Sequence, residues 1–234
     1  GRLSQEQVVP MMNVDDDKWK SLAGDLRKEQ GSSSLFDDVY LIDDFTASGT
    51  TFIRFPEGEP KGKLAKFERI VQDAAKRLGE EFPLAKGYTL HIHHYVSTAQ
   101  AHDALVGRIQ EADEKLKDKS YGRAVITEGM LLPADIKGGT IDEKTKKMIP
   151  TRSTDDAIVD LCSRYYDHDL FMRLEKHCRE AGQTDMRYGY ANCALPLILE
   201  HNTPNNSIPL LWAETDGNIG AKMHSLFLRR DRHG

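Results

Sequence analysis

The chain has 234 residues, of which 39% are hydrophobic, and a formal net charge of −5. This length is sufficient for a sizeable hydrophobic core, and no stretch approaches the roughly 20 apolar residues that a membrane helix needs. The first residues, GRLSQEQ, lack the basic segment and apolar run of a signal peptide. We therefore expect a protein without membrane association, and the negative charge balance predicts no nucleic-acid partner.

Three cysteines, Cys162, Cys178 and Cys193, are widely spaced and include no CxxC pair. This spacing favours neither a disulfide framework nor a zinc site. Reduced thiols are typical of a cytoplasmic protein, and the cytoplasm is the location we expect.

Apolar residues recur at helical spacing in four regions, which predicts helices at 16–29, 64–78, 105–116 and 157–178, the last with a break near Asp169. Short apolar runs predict strands at 39–42, 89–96, 124–127, 195–199 and 208–212. Strands that alternate with helices indicate an α/β fold with a mostly parallel sheet flanked by helices. Pro196 and Pro209 would place the last two strands at an edge or bulge, because proline has no N–H for the ladder. We expect one domain over residues 1–234, with 133–150 as a loop or insertion.

One segment, from Val39 to Thr51, combines a buried-strand pattern with acidic and hydroxylated residues in the sequence VYLIDDFTASGTT. Its apolar run ends at Asp43 and Asp44, and a loop of small and hydroxyl-bearing residues follows. At the carboxyl end of a parallel strand such a loop suits a phosphate, and a helix N-terminus after it would strengthen the site. The carboxylates suit sugar hydroxyls or a Mg²⁺ ion that carries further phosphates. The alternative is that the acids cap the next helix and the loop is a solvated turn.

The same segment resembles the signature of type I phosphoribosyltransferases, which bind phosphoribosyl pyrophosphate. The resemblance implies a phosphoribosyltransferase-like, Rossmann-like domain in which Asp43 and Asp44 are the catalytic residues, contact the ribose hydroxyls and lie beside a Mg²⁺ cofactor. It also implies that the 5′-phosphate is wrapped by Thr46, Ala47, Ser48, Gly49, Thr50 and Thr51. Ser48 stands where threonine is commoner, which retains the hydroxyl. Unlike a P-loop, this loop contains no lysine.

A second resemblance covers Tyr188 to Trp212, which includes GYANCALPLILEHNTPNNSIPLLW. This stretch is similar to the C-terminal part of phosphoribosyltransferase-like effector proteins of prokaryotic conflict and anti-phage gene clusters. Its polar side chains include Glu200, His201, Asn202, Asn205 and Asn206. They suit contacts to a base edge and, equally, the ordering of a turn, because asparagine side chains bond to nearby backbone.

Only residues 1–38 precede the signature, whereas the enzymes place two strand-and-loop units before it, including the loop that grips pyrophosphate. We therefore expect that the N-terminal part of the fold is lost, lies on another chain or is reduced. Two functions stay open. One is transfer of a phosphoribosyl group to or from an unknown base or nucleotide; the other is a non-catalytic nucleotide-sensing regulator or defence-system effector subunit. Either function allows a protein partner or a homo-oligomer.

Four histidines, His91, His93, His94 and His102, suggest comparison with a zinc site, since alternate strand residues share one face. No cysteine or carboxylate at suitable spacing completes the set. The pattern therefore favours histidines of a half-buried strand near a cleft, one of which is able to carry a proton near neutral pH.

Overall fold

The computed structural model describes residues 7–10, 14–49, 51–116, 118–133, 139–141, 148–150, 156–180, 183–200, 202–227 and 229. The chain divides into two compact units, Gly1–Leu131 and Leu132–Gly234. Within the described ranges, no helix is long and apolar enough to span a bilayer.

The first unit is built around a three-stranded parallel sheet with the strand order β1-β2-β3. Its elements in chain order are α1 (Asp16–Gln30), β1 (Phe36–Thr46), α2 (Lys63–Leu78), β2 (Leu84–Thr98), α3 (Ala99–Lys115) and β3 (Tyr121–Leu132). Because a helix joins each strand to the next, the strands run in the same direction and their carboxyl ends share one edge of the sheet. We call this the carboxyl edge, where the strands end at Thr46, Thr98 and Leu132.

The core of this unit lies between one face of the sheet and the helices α2 and α3. Strands β1 and β2 pair in parallel, with Leu41 opposite Ile92 and Asp43 opposite His94. Along β2 the buried side chains alternate with more exposed ones, as expected for a strand covered on one face. The main core includes Leu64, Val71, Leu90, Ile92, Leu105 and Ile109.

Local capping chemistry sets where two of the helices begin. The Asp15 carboxylate accepts a hydrogen bond from the backbone N–H of Lys18 at 2.8 Å and so caps α1. Thr98, the last residue of β2, caps α3 because its hydroxyl accepts from the N–H of Ala101 at 3.1 Å. Strand β2 therefore passes directly into α3, which places the first turns of α3 at the carboxyl edge.

The second unit has short elements joined by turns. They are the antiparallel strands β4 (Gly139–Ile141) and β5 (Met148–Pro150) and the helices α4 (Asp156–Arg164), α5 (Asp169–Arg173) and α6 (Glu175–Glu180). Its largest hydrophobic cluster contains Tyr166, Leu170, Phe171, Met186, Trp212 and Met223. From residue 183 onward, the described backbone forms isolated bridges and two 3₁₀ turns, Tyr190–Asn192 and Pro209–Leu211.

The α/β fold, the predicted helices and the first three predicted strands are confirmed, although each strand is longer than expected. The strands predicted at 195–199 and 208–212 are wrong, since the first contributes single bridges and the second holds a 3₁₀ turn. Pro196 and Pro209 lack the N–H groups that a ladder requires, which explains why these apolar runs do not pair. The single domain over 1–234 stays a prediction, and the described part of 133–150 contains the β4–β5 hairpin.

Candidate functional site at the carboxyl edge

Asp43 and Asp44 lie near the carboxyl end of β1 and point to opposite faces of the sheet, because side chains alternate along a strand. Asp43 lies on the helix-covered face, where its carboxylate pairs with the ammonium group of Lys63 at the start of α2. Asp44 lies on the other face, and its carboxylate accepts from the N–H of Phe45 at 2.8 Å. The two predicted carboxylates therefore have different surroundings and different partners.

The predicted phosphate loop lies against the start of α3. Of its six residues, the structure buries Thr46, Ala47, Ser48 and Gly49 and exposes Thr51, while Thr50 lies outside the described residues. The Ala47 carbonyl accepts from the Thr98 hydroxyl at 2.7 Å, and the Gly49 carbonyl accepts from the guanidinium of Arg108. Contacts to α3 thus hold this loop through its carbonyl groups, and a phosphate would require its N–H groups instead.

Gly49 is required for the packing of this loop. Its φ of 64° is in the left-handed region, and a Cβ atom here would lie 2.6 Å from the carbonyl oxygen of Ala101 and 3.1 Å from Cβ of Ala104. Glycine permits both the backbone conformation and the close approach to α3. A larger residue at this position would disturb packing whether or not a ligand is bound.

Two cations from other elements lie beside the loop, whose own sequence has none. Lys63 comes from α2 and contacts Asp43, 20 residues earlier in the chain. Arg108 comes from α3 and contacts Gly49, and burial lowers the pKa of its guanidinium below the ordinary value without discharging it. α2 does not follow the loop directly, because the 3₁₀ turn Pro56–Gly58 intervenes. The positive charge near the loop therefore comes from the side chains of Lys63 and Arg108 rather than from a helix N-terminus directly after the loop.

A row of titratable side chains crosses the helix-covered face near the carboxyl edge. Asp43 of β1 is opposite His94 of β2 in the strand register. On the far side of β2, His93 contacts Thr127 of β3 at 2.9 Å, so the next residues along each strand, His94 and Glu128, are neighbours. The row replaces the apolar residues that occupy this face deeper in the sheet, where Ile92 and Leu90 belong to the core. Such a substitution of charge for apolar packing is typical of a functional site.

His94 is the most buried member of this row, with 1% of its surface exposed. Its Nδ1 is buried without a hydrogen-bond partner, and the ring of Phe52 packs edge-on against it at 5.9 Å. Burial lowers the pKa of His94 below its ordinary value, a change opposed by the carboxylates of Asp43 and Glu128 and reinforced by Lys63. The lowered pKa favours the neutral form of His94. An unsatisfied nitrogen such as its buried Nδ1 is costly unless a bound molecule uses it.

His102 and Glu128 form a hydrogen-bonded pair at the same edge. His102 lies near the start of α3, and its Nδ1 is 2.6 Å from Oε1 of Glu128. The Glu128 side chain is 12% exposed and the His102 side chain 32% exposed. A largely buried carboxylate thus contacts one nitrogen of an imidazole whose side chain is about one-third exposed.

The predicted base-contacting residues lie in the second unit. Asn206 is 9% exposed, and its side-chain amide donates to the carbonyl of Tyr190 at 3.2 Å. Asn202 forms a bridge with Leu199, and Glu200 is exposed. Asn205 accepts through its backbone carbonyl from the N–H of Tyr190 at 2.7 Å. His201 lies outside the described residues. Asn206 thus orders its own loop, and contacts of this group with a base stay a prediction.

Magnesium fits this edge only as an ion that arrives with its ligand. Among the described residues, no group of three or more His, Cys, Asp or Glu side chains is arranged to hold a metal. Asp43 and Asp44 diverge across the sheet, and Lys63 occupies the carboxylate of Asp43. Mg²⁺ in proteins retains several water ligands and binds through one or two carboxylates plus phosphates of the substrate. At this edge, the phosphate oxygens of the ligand and water would therefore have to supply most of the ligands of the ion.

A separate cavity of about 220 Å³ lies at the other end of the first unit. It is lined by Glu68, Gln72, Lys115, Leu116, Asp118 and Lys119. The Glu68 carboxylate is already occupied, since it accepts from the hydroxyl of Ser120 at 2.7 Å and from the N–H of Ser120 at 2.8 Å. Ser120 precedes β3, so this cavity lies away from the carboxyl edge and from the predicted site.

A parallel sheet whose first described strand ends in an acidic pair and a hydroxyl-rich loop is the arrangement of a phosphoribosyltransferase-type α/β protein. A family model described as PRTase-CE matches residues 20–229, a span that covers parts of both units. The chain therefore belongs to the PRTase-CE family, and the resemblance to phosphoribosyltransferases is confirmed at that level. No curated protein and no solved structure matches it significantly.

Three side chains of this edge lie outside the site predicted from the sequence: Lys63, Arg108 and Glu128. The sequence does indicate Glu128, because it follows the predicted strand 124–127 just as Asp43 follows the predicted strand 39–42. Since parallel strands end at the same edge of a sheet, this position predicts that Glu128 lies at the carboxyl edge. The sequence gives no such indication for Lys63 and Arg108, since their approach depends on how the loop folds back against α2 and α3. His94 and His102 were identified only as strand histidines or proton carriers, and His102 lies on α3.

Proposed function

We propose that the first unit binds the phosphoribosyl group of phosphoribosyl pyrophosphate, or of a ribose 5-phosphate nucleotide, at the carboxyl edge. The protein then transfers this group to or from a base or nucleotide that the chain does not identify. The observation that carries the proposal is the acidic pair and loop at the end of β1 with Lys63 and Arg108 beside them. Carboxylates for hydroxyls and cations for phosphates are the complementary groups that this ligand requires.

Each part of the ligand has a partner in this proposal. Asp43 and Asp44 accept hydrogen bonds from the ribose hydroxyls, and the loop that begins at Thr46 surrounds the 5′-phosphate with N–H and hydroxyl groups. Lys63 must share or leave Asp43 when the ribose binds, and its ammonium group is then available to an anionic part of the ligand. The residues hold the reacting groups in position, which is the main task in a transfer at the anomeric carbon.

Mg²⁺ enters as the ion that the pyrophosphate carries. It would offset charge on the leaving pyrophosphate, with Asp43 or Asp44 as its carboxylate contact.

The second candidate function is a sensor that binds the same ligand without turning it over. It is favoured by one contact, the pair between Lys63 and Asp43, because a ligand that displaces Lys63 from Asp43 releases the side chain of the first residue of α2. A role of this sensor in a defence system, with a protein partner or a second copy of the chain, stays a prediction.

The test is titration calorimetry with phosphoribosyl pyrophosphate, with and without Mg²⁺, with ribose 5-phosphate and AMP as comparators. The same strand provides a matched control, because a second acidic pair, Asp37 and Asp38, lies at its other end. The double variant Asp43→Asn with Asp44→Asn should weaken binding by roughly 100- to 10,000-fold, since hydrogen bonds to charged groups contribute about 1.5 to 3 kcal/mol each. The double variant Asp37→Asn with Asp38→Asn should bind like the original chain.

The outcomes separate the two functions. Binding that depends on Mg²⁺ and is lost in the Asp43/Asp44 variant supports the transferase. Binding of AMP or ribose 5-phosphate without a metal effect supports the sensor. If neither double variant changes the affinity, or if both weaken it equally, the ribose contact at the carboxyl edge is wrong.

A further inference from the structure

The geometry of His102 and Glu128 differs from that of an ordinary surface ion pair. Glu128 projects from β3 on the helix-covered face, and its side chain is 12% exposed. Its Oε1 lies 2.6 Å from Nδ1 of His102. An ionised carboxylate only accepts hydrogen bonds, so with Glu128 ionised the hydrogen of this contact belongs to Nδ1, and in the neutral ring Nε2 then carries the lone pair. Glu128 thus selects the tautomer of His102 in which Nε2 is able to accept a proton.

The pair lies beside the loop assigned to the 5′-phosphate. The Thr98 hydroxyl, at the cap of α3, donates to the Ala47 carbonyl at 2.7 Å. Gly49 packs against Ala101 and Ala104, one residue before and two residues after His102. The loop therefore rests on the same two turns of α3 that carry His102. With 32% of its side chain exposed, His102 is accessible from solvent at this edge.

We propose that His102, oriented by Glu128, is the general base that removes a proton from a nitrogen acceptor during phosphoribosyl transfer; this inference rests on the proposed function. The acceptor nitrogen forms a bond to C1′ of the ribose while the bond between C1′ and the pyrophosphate oxygen breaks. Pyrophosphate leaves with that electron pair, and the proton of the acceptor N–H passes to Nε2 of His102. The resulting imidazolium is stabilised by the carboxylate of Glu128.

This assignment narrows the acceptor to compounds that must lose an N–H proton as the new bond forms, such as nucleobases. In the reverse direction the same imidazolium would return the proton to the departing base nitrogen. His102 is therefore a catalytic residue, which contacts the acceptor, and Glu128 is a positioning residue, which acts through His102. Neither role requires His102 or Glu128 to bind a metal ion.

The experiment measures pyrophosphate release from phosphoribosyl pyrophosphate and Mg²⁺ in the presence of each of the five common nucleobases. His102→Ala should lower kcat by roughly 100- to 10,000-fold, the usual contribution of a general base, with KM for phosphoribosyl pyrophosphate unchanged. Added imidazole should restore part of the rate of His102→Ala, a rescue that a structural role does not predict. Glu128→Gln should lower kcat by a smaller factor and leave KM unchanged.

The chain provides a matched control for this test. His91 contacts Asp38 at 2.7 Å in a second histidine–carboxylate pair, and it projects from the opposite face of β2. His91→Ala should leave kcat unchanged. The inference is overturned if His102→Ala releases pyrophosphate as fast as the original chain, if imidazole restores nothing, or if His91→Ala has the same effect.

Calorimetry on the same proteins separates this inference from the function on which it rests. If the original chain and His102→Ala both bind phosphoribosyl pyrophosphate but release pyrophosphate at the same rate, the general base is wrong and the binding function survives. If the original chain does not bind the compound, both are wrong. Equal binding with the expected loss of kcat supports both.

Discussion

The two units of this protein achieve order in different ways. The first unit consists of strands and helices that satisfy their own backbone hydrogen bonds, and its core is one layer of apolar side chains between a sheet and two helices. The second unit has short helices, and buried side chains such as Asp167 and Gln183 bond to backbone groups of its turns. The comparison shows which kind of structure a sequence pattern predicts. Helices and strands place apolar residues at regular intervals in the sequence, whereas a turn held by one side chain produces no such period.

Asp167 illustrates the second kind of order. It is fully buried, and its carboxylate accepts from the backbone N–H groups of Asp169 at 3.2 Å, Gly217 at 3.0 Å and Ile219 at 3.0 Å. One side chain therefore joins the start of α5 to a turn about 50 residues later. Gln183 acts in a similar way, since its amide donates to the carbonyl of Gly189 at 3.0 Å and accepts from the N–H of Ala191 at 2.7 Å.

The largest expected effect comes from glycines that allow backbones to touch. In the first unit, Gly49→Ala would place Cβ 2.6 Å from the Ala101 carbonyl; in the second, Gly189→Ala would place it 2.6 Å from the Ser207 carbonyl, and both residues have positive φ. Each variant should lose roughly 3 kcal/mol of unfolding free energy, through backbone strain and displacement. Urea denaturation measures the loss, and hydrogen exchange locates it in one unit.

Gly107→Ala is the control for both variants. Gly107 is inside α3, and a Cβ atom there would meet nothing within 4 Å. Because alanine favours a helix over glycine, this variant should gain about 1 kcal/mol of stability. The packing argument fails if Gly49→Ala or Gly189→Ala is as stable as Gly107→Ala.

The next effect is the acid sensitivity of the second unit. Burial alone would raise the pKa of Asp167, but hydrogen bonds from Thr215 and from the backbone N–H groups of Asp169, Ile219 and Gly217 outweigh it, so the pKa is lowered. A carboxyl group with a lowered pKa stabilises the fold above its unfolded pKa, near 3.9, and this contribution is lost as the pH falls through the folded pKa. Asp167→Asn should therefore reduce the stability of the second unit at neutral pH and weaken its dependence on acid.

Thermal unfolding between pH 7 and pH 3 measures this dependence, with hydrogen exchange of residues 167–173 and 215–223 as the local readout. Asp160→Asn is a suitable control, because Asp160 forms an exposed pair with Arg164 within α4. Exposed helical pairs contribute little, so this variant should follow the original pH profile. An Asp167→Asn variant with the original profile would show that its backbone contacts do not hold the unit together.

The fold of the first unit was predictable because its signals are local and repeated. Apolar residues at helical spacing located α2, and the alternation around Leu90 and Ile92 located β2. In the second unit the apolar residues from Leu195 to Leu199 predict a strand, but the backbone of Leu195 hydrogen-bonds to Asn206 and Ile208 as an isolated bridge. Such pairings depend on proline and asparagine chemistry rather than on any period, and hence the prediction was wrong there.

The candidate site was predictable in part, for a related reason. The segment that contains Asp43, Asp44 and the loop is continuous in sequence, so a motif located it. Lys63, Arg108 and Glu128 come from α2, α3 and β3 and meet this segment only in the folded unit. Glu128 was predictable, because it follows the predicted strand 124–127 and parallel strands end at the same edge of a sheet. The positions of Lys63 and Arg108 were not predictable, because they depend on how the chain after β1 folds back to the sheet.

The smallest expected effect concerns His94 in the regular fold of the first unit. It tests whether the buried imidazole makes the stability of this unit depend on pH. His94 is buried, its Nδ1 has no hydrogen-bond partner, and its pKa is lowered. His94 therefore binds a proton more readily in the unfolded chain, near pH 6.5, than in the folded chain. The stability of the first unit should decrease as the pH falls from about 7 towards the pKa of His94 in the folded chain. The titratable groups that influence the pKa of His94 are Asp43, Lys63 and Glu128, and His93 on the opposite face of β2.

His94→Gln should remove this pH dependence and leave stability at pH 7.5 nearly unchanged. Urea denaturation at pH 7.5, 6.5 and 5.5 measures it, with His91→Gln as a control because His91 already has a partner in Asp38. A flat profile in the original chain would mean that water or a neighbouring group satisfies Nδ1. A profile that flattens when ligand is bound would instead show that the ligand supplies the hydrogen bond that Nδ1 of His94 lacks, which connects this buried group to the site.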